Sequence, residues 1–95
     1  MVGVTASTTD LWTAWRTRRD ERAFEDLVRA ELPHALGFAR RLGCGAADAE
    51  EAVQDALARL AQATDDRPLA VGLRAWLLRE VHNRARTRLR SERRA

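Results

Sequence analysis

Apolar residues recur every three or four positions along most of the chain, and this spacing predicts amphipathic helices. Four segments carry the pattern, at about residues 10–18, 20–42, 47–63 and 73–93. Thr9 or Asp10 is the expected cap of the first segment and Asp20 that of the second, because short polar side chains accept hydrogen bonds from the first helical amides. Each segment has one apolar face to bury. The pattern therefore predicts an all-α fold, a compact bundle of three to four helices.

Interruptions of the pattern mark the connections between these segments. Glycines at 43 and 45 break the chain after the second segment, and residues 64–72 predict a loop before the last one. The short first segment is expected to be held on the bundle by Trp12 or Trp15. Residues 1–9 have neither the basic start nor the apolar centre of a signal peptide, and we expect them to form a disordered lead to a domain at 10–95.

The composition narrows the class of protein. A chain of 95 residues is long enough for one compact domain, and 45% hydrophobic with 33% charged residues is a globular composition. Tyrosine is absent and β-branched residues are few, which disfavours a sheet. The single cysteine, Cys44, cannot form an internal disulfide, and no apolar run is long enough to span a membrane. A cytoplasmic protein is the expectation, with no membrane partner.

The net charge of +3 conceals two regions of opposite sign. Residues 1–66 contain eight arginines and twelve acids, a net charge of −4, whereas residues 67–95 contain nine arginines and two acids, a net charge of +7. A basic end on an acidic body favours a polyanionic partner at that end. A merely solvated arginine-rich helix explains the composition about as well.

The polar face of the last predicted helix carries residues suited to single-stranded nucleic acid. At about 100° per residue, the side opposite the apolar stripe bears one tryptophan, one asparagine and several arginines. They are Trp76, Asn83, Arg90 and Arg94, with Arg79 and Arg86 beside them. Guanidinium groups follow phosphates, an exposed indole can stack on a base, and an amide can contact a base edge. The alternative is that Trp76 packs under the 64–72 loop and the arginines are only solvated.

Three motifs within residues 20–94 resemble region 2 of the sigma-70 family, in its extracytoplasmic-function (ECF) group. The first comprises residues 21–28 (ERAFEDLV), Leu32-Pro33 and residues 38–42 (FARRL). The second is the acidic segment at residues 48–55 (DAEEAVQD). The third comprises residues 75–79 (AWLLR), Asn83 and Leu89-Arg90. Each motif is weak alone, but their order and spacing together are typical of the family.

The resemblance implies a polymerase-docking face. In the family, the helix with the glutamine and acid pair docks on the clamp helices of the RNA polymerase β′ subunit. The matching residues here are Gln54 and Asp55, with Glu51 on the same predicted face. An acidic stripe suits a basic coiled coil. A solvated helix face is the plainer alternative.

The resemblance also implies a DNA-binding face. In the family, the loop before the last helix and that helix bind the single-stranded non-template strand of the minus-ten promoter element, and one base is flipped into a pocket of the loop. The matching segment is residues 64–74 followed by the last helix. The predicted DNA-binding residues are Arg67, Arg74, Trp76, Arg79, Asn83, Arg86 and Arg90.

Some features depart from the family pattern. Thr87 stands where the family often has an aspartate, and Leu57 and Ala61 lie where it favours aromatic residues. These differences leave the promoter sequence and the strength of docking open. ECF sigma factors usually carry a second, helix-turn-helix domain (region 4), and no such segment follows Ala95. We therefore expect this chain to be part of a longer protein. The alternative is a natural relative with a single domain.

Other function classes find less support in the sequence. His34, His82 and Cys44 are too scattered to predict a metal site, and no phosphate loop or nucleophile motif occurs. We therefore expect a non-enzyme without a cofactor. The main competing hypothesis is a sigma-like interaction module that binds polymerase or an anti-sigma factor without melting promoter DNA. An anti-sigma factor is an expected partner of a true sigma domain as well.

Overall fold

The computed structural model describes residues 7–94, and the side chains of residues 7–91. Within this part of the chain every regular element is a helix. The helices are α1 (Thr8–Arg18), α2 (Glu21–Arg41), α3 (Ala46–Gln62), α4 (Arg67–Ala70) and α5 (Leu73–Arg94). The predicted all-α fold is confirmed. Four of these helices correspond to the four predicted segments, and α4 is a single additional turn.

The first helix begins earlier than its sequence pattern predicts. Ser7, rather than Thr9 or Asp10, caps α1, because its hydroxyl accepts a hydrogen bond from the Asp10 amide at 3.1 Å. Thr8 and Thr9 therefore belong to α1 and not to the predicted lead, whose residues 1–6 lie outside the described part. The predicted cap of α2 is confirmed, since the Asp20 carboxylate accepts from the Ala23 amide at 3.2 Å.

The main hydrophobic core lies between α2, α3 and α5. Its fully enclosed members come from the predicted apolar stripes, and they include Ala39 on α2, Val53 and Ala56 on α3, and Leu77 and Val81 on α5. Small residues at many of these positions let the helices approach closely. This core holds α3 and α5 side by side. The polar faces of both helices therefore point away from the core.

A second, smaller core lies where α1 packs across the bundle. Trp12 is completely buried there with Leu27, Leu60 and Leu73, which belong to α2, α3 and α5. The predicted role of a tryptophan in holding α1 is confirmed. This second core also surrounds the start of the connection from α3 to α5, which is the segment predicted to bind DNA.

Candidate nucleic-acid cleft and docking face

The connection between α3 and α5 is more ordered than a simple loop. The prediction of a loop over residues 64–72 missed α4, a helical turn at Arg67–Ala70. The Asp65 carboxylate accepts a hydrogen bond from the Arg67 amide at 3.0 Å, and the fixed φ of the buried Pro68 suits the first turn of a helix. Gly72 then adopts φ 91°, a left-handed conformation open to glycine, directly before α5.

A cleft of about 570 Å³ separates this connection from α5 and from the end of α3. Four of the seven predicted DNA-binding residues line it, namely Arg67, Trp76, Arg79 and Asn83. Arg67, Arg79 and Asn83 are exposed, whereas Trp76 is half-buried. The cleft thus combines two guanidinium groups, an indole and an amide within one concave surface.

Trp76 lies closer to the core than the helical pattern of α5 predicts. Its ring packs against both hydrophobic clusters and also lines the cleft. The pattern placed it opposite the apolar stripe, but the second core covers the first turn of α5 and widens the buried face there. Trp76 therefore does both things that the sequence analysis treated as alternatives. Part of its ring packs against the core, and part remains accessible in the cleft.

The cleft also contains residues that the sequence did not single out. Arg59 of α3 lines it and forms an ion pair with Glu80 at 3.2 Å, while Glu80 is also 3.6 Å from Arg84. These pairs offset the negative charge of Glu80, and Arg67 lies 3.5 Å from Asp65, the other acid of the lining. Val71 also lines the cleft. Among the described residues it is the large hydrophobic side chain that is exposed to solvent, at 52%. Of the two ion pairs of Glu80, only Glu80–Arg84 has a sequence signal, because residues four positions apart are neighbours on a helix.

The remaining predicted DNA-binding residues lie outside the cleft. Arg86 and Arg90 are exposed further along α5, beyond Asn83. Arg74 instead forms two hydrogen bonds with the Glu31 carboxylate, from Nε at 2.9 Å and from Nη2 at 3.1 Å. Glu31 is only 2% exposed, so Arg74 balances a buried charge of α2. The hydrogen bonds and the negative charge of Glu31 raise the pKa of Arg74 above its ordinary value.

The predicted docking residues form an exposed stripe on α3. Glu51, Gln54 and Asp55 are all exposed. Two of them share a partner that the sequence analysis missed, because Arg88 of α5 lies 3.4 Å from Glu51 and 2.9 Å from Asp55. The single positive charge of Arg88 thus compensates one of the two negative charges of Glu51 and Asp55. Both carboxylates remain accessible to solvent.

A second groove, of about 410 Å³, runs between α3 and α5 beside this stripe. Asp48 and Asp55 line it on one side and Arg84 and Arg88 on the other. Thr87 is also in this groove, and its hydroxyl donates to the Asn83 carbonyl at 3.1 Å. At Thr87, where the family often has an acid, the side chain therefore forms a hydrogen bond within its own helix.

No group of three or more histidine, cysteine, aspartate or glutamate side chains in residues 7–91 is arranged to hold a metal ion. Among the helices described, none has the length and apolar character needed to cross a membrane.

Comparison with known proteins identifies one family. A family model described as Sigma-70 region 2 matches residues 27–95, which include most of α2 and all of α3, α4 and α5. No curated protein and no solved structure matches the chain. The matched range contains all of the predicted DNA-binding and docking residues, and it excludes α1.

Proposed function

The chain belongs to the sigma-70 region 2 family, and on that premise we propose that it is the promoter-melting and polymerase-docking domain of an ECF-group sigma factor. Membership assigns it to transcription initiation, with RNA polymerase and promoter DNA as its general partners. The finer proposal is that α3 docks on the β′ clamp helices and that the cleft beside α5 binds the non-template strand of the minus-ten element. Its place of action is then the cytoplasm.

The observation that carries this proposal is the lining of the cleft. Trp76, Arg79 and Asn83 follow one another along one face of α5 and Arg67 belongs to α4, and together they border one concave surface. Its volume of about 570 Å³ is ample for a nucleobase with its sugar. An unpaired base that enters such a cleft can stack on the indole ring of Trp76 and form hydrogen bonds with the side-chain amide of Asn83.

Electrostatics supports the same assignment. Beyond the cleft, Arg86 and Arg90 continue an exposed basic track along α5. Phosphates of a strand that leaves the cleft along this helix would meet successive guanidinium groups. Phosphate contacts hold the strand in place, while contacts inside the cleft discriminate between bases. The geometry therefore favours strand-selective binding over generic attraction to a polyanion.

Docking is proposed for the stripe of Glu51, Gln54 and Asp55. It is exposed, acidic and on a different helix from the basic track. A basic coiled coil can compete with Arg88 for these carboxylates, because an exposed ion pair contributes at most about 1 kcal/mol. An anti-sigma factor that covers the same stripe would inhibit docking, and we propose this as a further partner of the domain.

A strand-preference experiment tests the proposed function. A single-stranded DNA library with a randomised centre is selected on the domain, and the selected strand, its complement and a scrambled strand are titrated by fluorescence anisotropy. We expect tighter binding of the selected strand at matched length and salt concentration. Equal affinity for all three strands would contradict promoter recognition and would favour the interaction-module hypothesis.

A further inference from the structure

Helix α1 contacts the end of α3 from which the DNA-binding connection leaves. The last carbonyls of a helix lack intrahelical partners, and α3 ends at Gln62. The Leu60 carbonyl accepts from the indole of Trp12 at 3.3 Å. The Ala61 carbonyl accepts from the indole of Trp15 at 2.9 Å. Side chains of α1 thus cap the C-terminus of α3.

A third donor strengthens this cap. Arg19 directly follows α1, and its guanidinium donates to the Ala61 carbonyl at 3.1 Å while it lies over the Trp15 ring, 4.7 Å from the centroid. The backbone of Arg19 has φ 51°, a left-handed conformation in which glycine is less strained. An arginine at this position provides a contact to α3 that glycine could not.

The same helix also contacts the middle of the connection. Arg16 lies 2.7 Å from Asp66, the residue directly before α4, and its guanidinium is 5.3 Å from the centroid of the Trp12 ring. The Arg16 side chain is 27% exposed and that of Asp66 is 68% exposed. The Asp66 carbonyl in turn accepts from the Leu69 amide at 3.0 Å and from the Ala70 amide at 2.9 Å. One ion pair therefore links α1 to the residue that starts the turn α4.

We propose that α1 positions the cleft for strand-selective binding, and that Arg16 and Asp66 are its positioning residues. The inference rests on the proposed function, because it concerns the same cleft. Neither residue lines the cleft, so neither needs to contact DNA. Helix α1, with Arg16, lies outside the region matched by the family model, whereas Asp66 lies inside it, so the ion pair joins the matched region to a helix that the family model does not cover.

Charge separates this proposal from a simple electrostatic effect. Asp66→Asn removes a negative charge near a basic cleft, so electrostatics alone predicts tighter DNA binding. Loss of positioning predicts the reverse, weaker binding of the selected strand and a smaller difference between that strand and its complement. The two explanations therefore predict opposite signs for the same substitution.

The experiment measures the affinity for the selected strand and its complement, together with thermal unfolding. The variants are Asp66→Asn, Arg16→Gln and the charge exchange of Arg16→Asp with Asp66→Arg, which keeps the net charge of the wild type. Asp26→Asn is the matched control, because Asp26 forms an exposed ion pair with Arg29 at 3.2 Å on α2, away from the cleft. All these positions are partly or fully exposed, so the variants are expected to fold.

Asp66→Asn should weaken binding of the selected strand by about threefold to fivefold, as expected for an exposed ion pair, with little change in melting temperature. Arg16→Gln should have a similar effect, and the charge exchange should restore strand preference. Tighter or unchanged binding by Asp66→Asn, as for Asp26→Asn, would overturn the positioning role while wild-type strand preference still supports the proposed function. Absence of strand preference in the wild type would overturn both.

Discussion

Glu31 shows how a single charged residue in this fold depends on a distant partner. It is the buried charged residue of the described part, and Arg74 provides both of its side-chain hydrogen bonds from 43 positions away. The spacing of Glu31 does indicate burial, because it lies four positions from Leu27 and from Ala35 on the buried stripe of α2. Nothing in the local sequence identifies Arg74 as its partner. The prediction that Arg74 binds DNA remains a prediction, but the structure gives this residue a role in stability.

Substituting Arg74 should lower the free energy of unfolding more than substituting Glu31. Arg74→Ala leaves a buried carboxylate without its partner and should lower the free energy of unfolding by about 2–3 kcal/mol, less than for a fully buried pair because Arg74 is half-exposed. Glu31→Gln keeps an acceptor and should cost about 1 kcal/mol. Urea unfolding measures both, with Arg67→Ala of the exposed Arg67–Asp65 pair as the control. Equal, small effects of Arg74→Ala and Arg67→Ala would refute this role.

Exposed arginines and Asn83 should contribute to DNA binding in different ways. Each of Arg79→Ala, Arg86→Ala and Arg90→Ala should reduce the slope of log affinity against log salt by roughly 0.7 if the residue contacts one phosphate. These losses should be similar for selected and scrambled strands, since phosphates carry no base identity. Asn83→Ala should instead narrow the difference between the two strands. If all three arginines can be replaced without any change in affinity or slope, α5 does not bind DNA.

Trp76 is expected to affect stability and binding together. Its ring packs against both hydrophobic clusters, so Trp76→Ala should lower the melting temperature by several degrees and also weaken DNA binding. Trp76→Phe retains an aromatic ring and should recover most of the stability. Comparing DNA affinity at a temperature where both variants are fully folded separates the two effects. A variant Trp76→Ala with wild-type melting temperature would contradict the packing described here.

At the scale of helices, the sequence predicts what depends on local spacing. The apolar stripes located the four longer helices, and Asp20 marked the start of α2. The turn α4 escaped prediction because four residues are too few for a periodic pattern, and it depends on Asp65 and the buried Pro68. The contacts of Arg88 also escaped, because Glu51 and Asp55 lie 37 and 33 positions away in the sequence. Periodicity gives the face of a helix but not the partner that packs on it.

The attachment of α1 should depend more on buried area than on its hydrogen bonds. Trp12→Phe removes one donor, but the Leu60 carbonyl still accepts from the Ala63 amide at 3.2 Å, so the expected loss is about 1 kcal/mol. Trp12→Ala empties a fully buried site and should cost about 3–5 kcal/mol. Thermal or urea unfolding of the two variants gives the comparison. Similar losses would mean that the hydrogen bond, not the ring, attaches α1.

Across the whole molecule, the two proposed interfaces occupy different helices of one bundle. The docking stripe lies on α3 and the basic track on α5, and Arg88 connects them through Glu51 and Asp55. In the sequence, the opposite net charges of residues 1–66 and 67–95 favour a polyanionic partner at the basic end. The sequence could not show that an arginine of the basic region compensates the acids of the docking stripe. Docking through this stripe, as proposed, would displace or share this contact.

Substitutions in the docking stripe should consequently change polymerase binding without changing the stability of the domain. Asp55→Arg reverses the charge that faces a basic coiled coil and should weaken pull-down of the β′ clamp helices at least about tenfold, because like charges across an interface cost several kcal/mol. The melting temperature should hardly move, since Asp55 is exposed and its pair with Arg88 contributes at most about 1 kcal/mol. Arg88→Ala removes a competing cation and should strengthen the same pull-down. Asp26→Arg, an equal charge reversal on α2, is the control and should retain wild-type binding. Full-strength pull-down by Asp55→Arg, or an equal loss in Asp26→Arg, would show that α3 does not carry the polymerase interface, whatever the outcome of the DNA experiments.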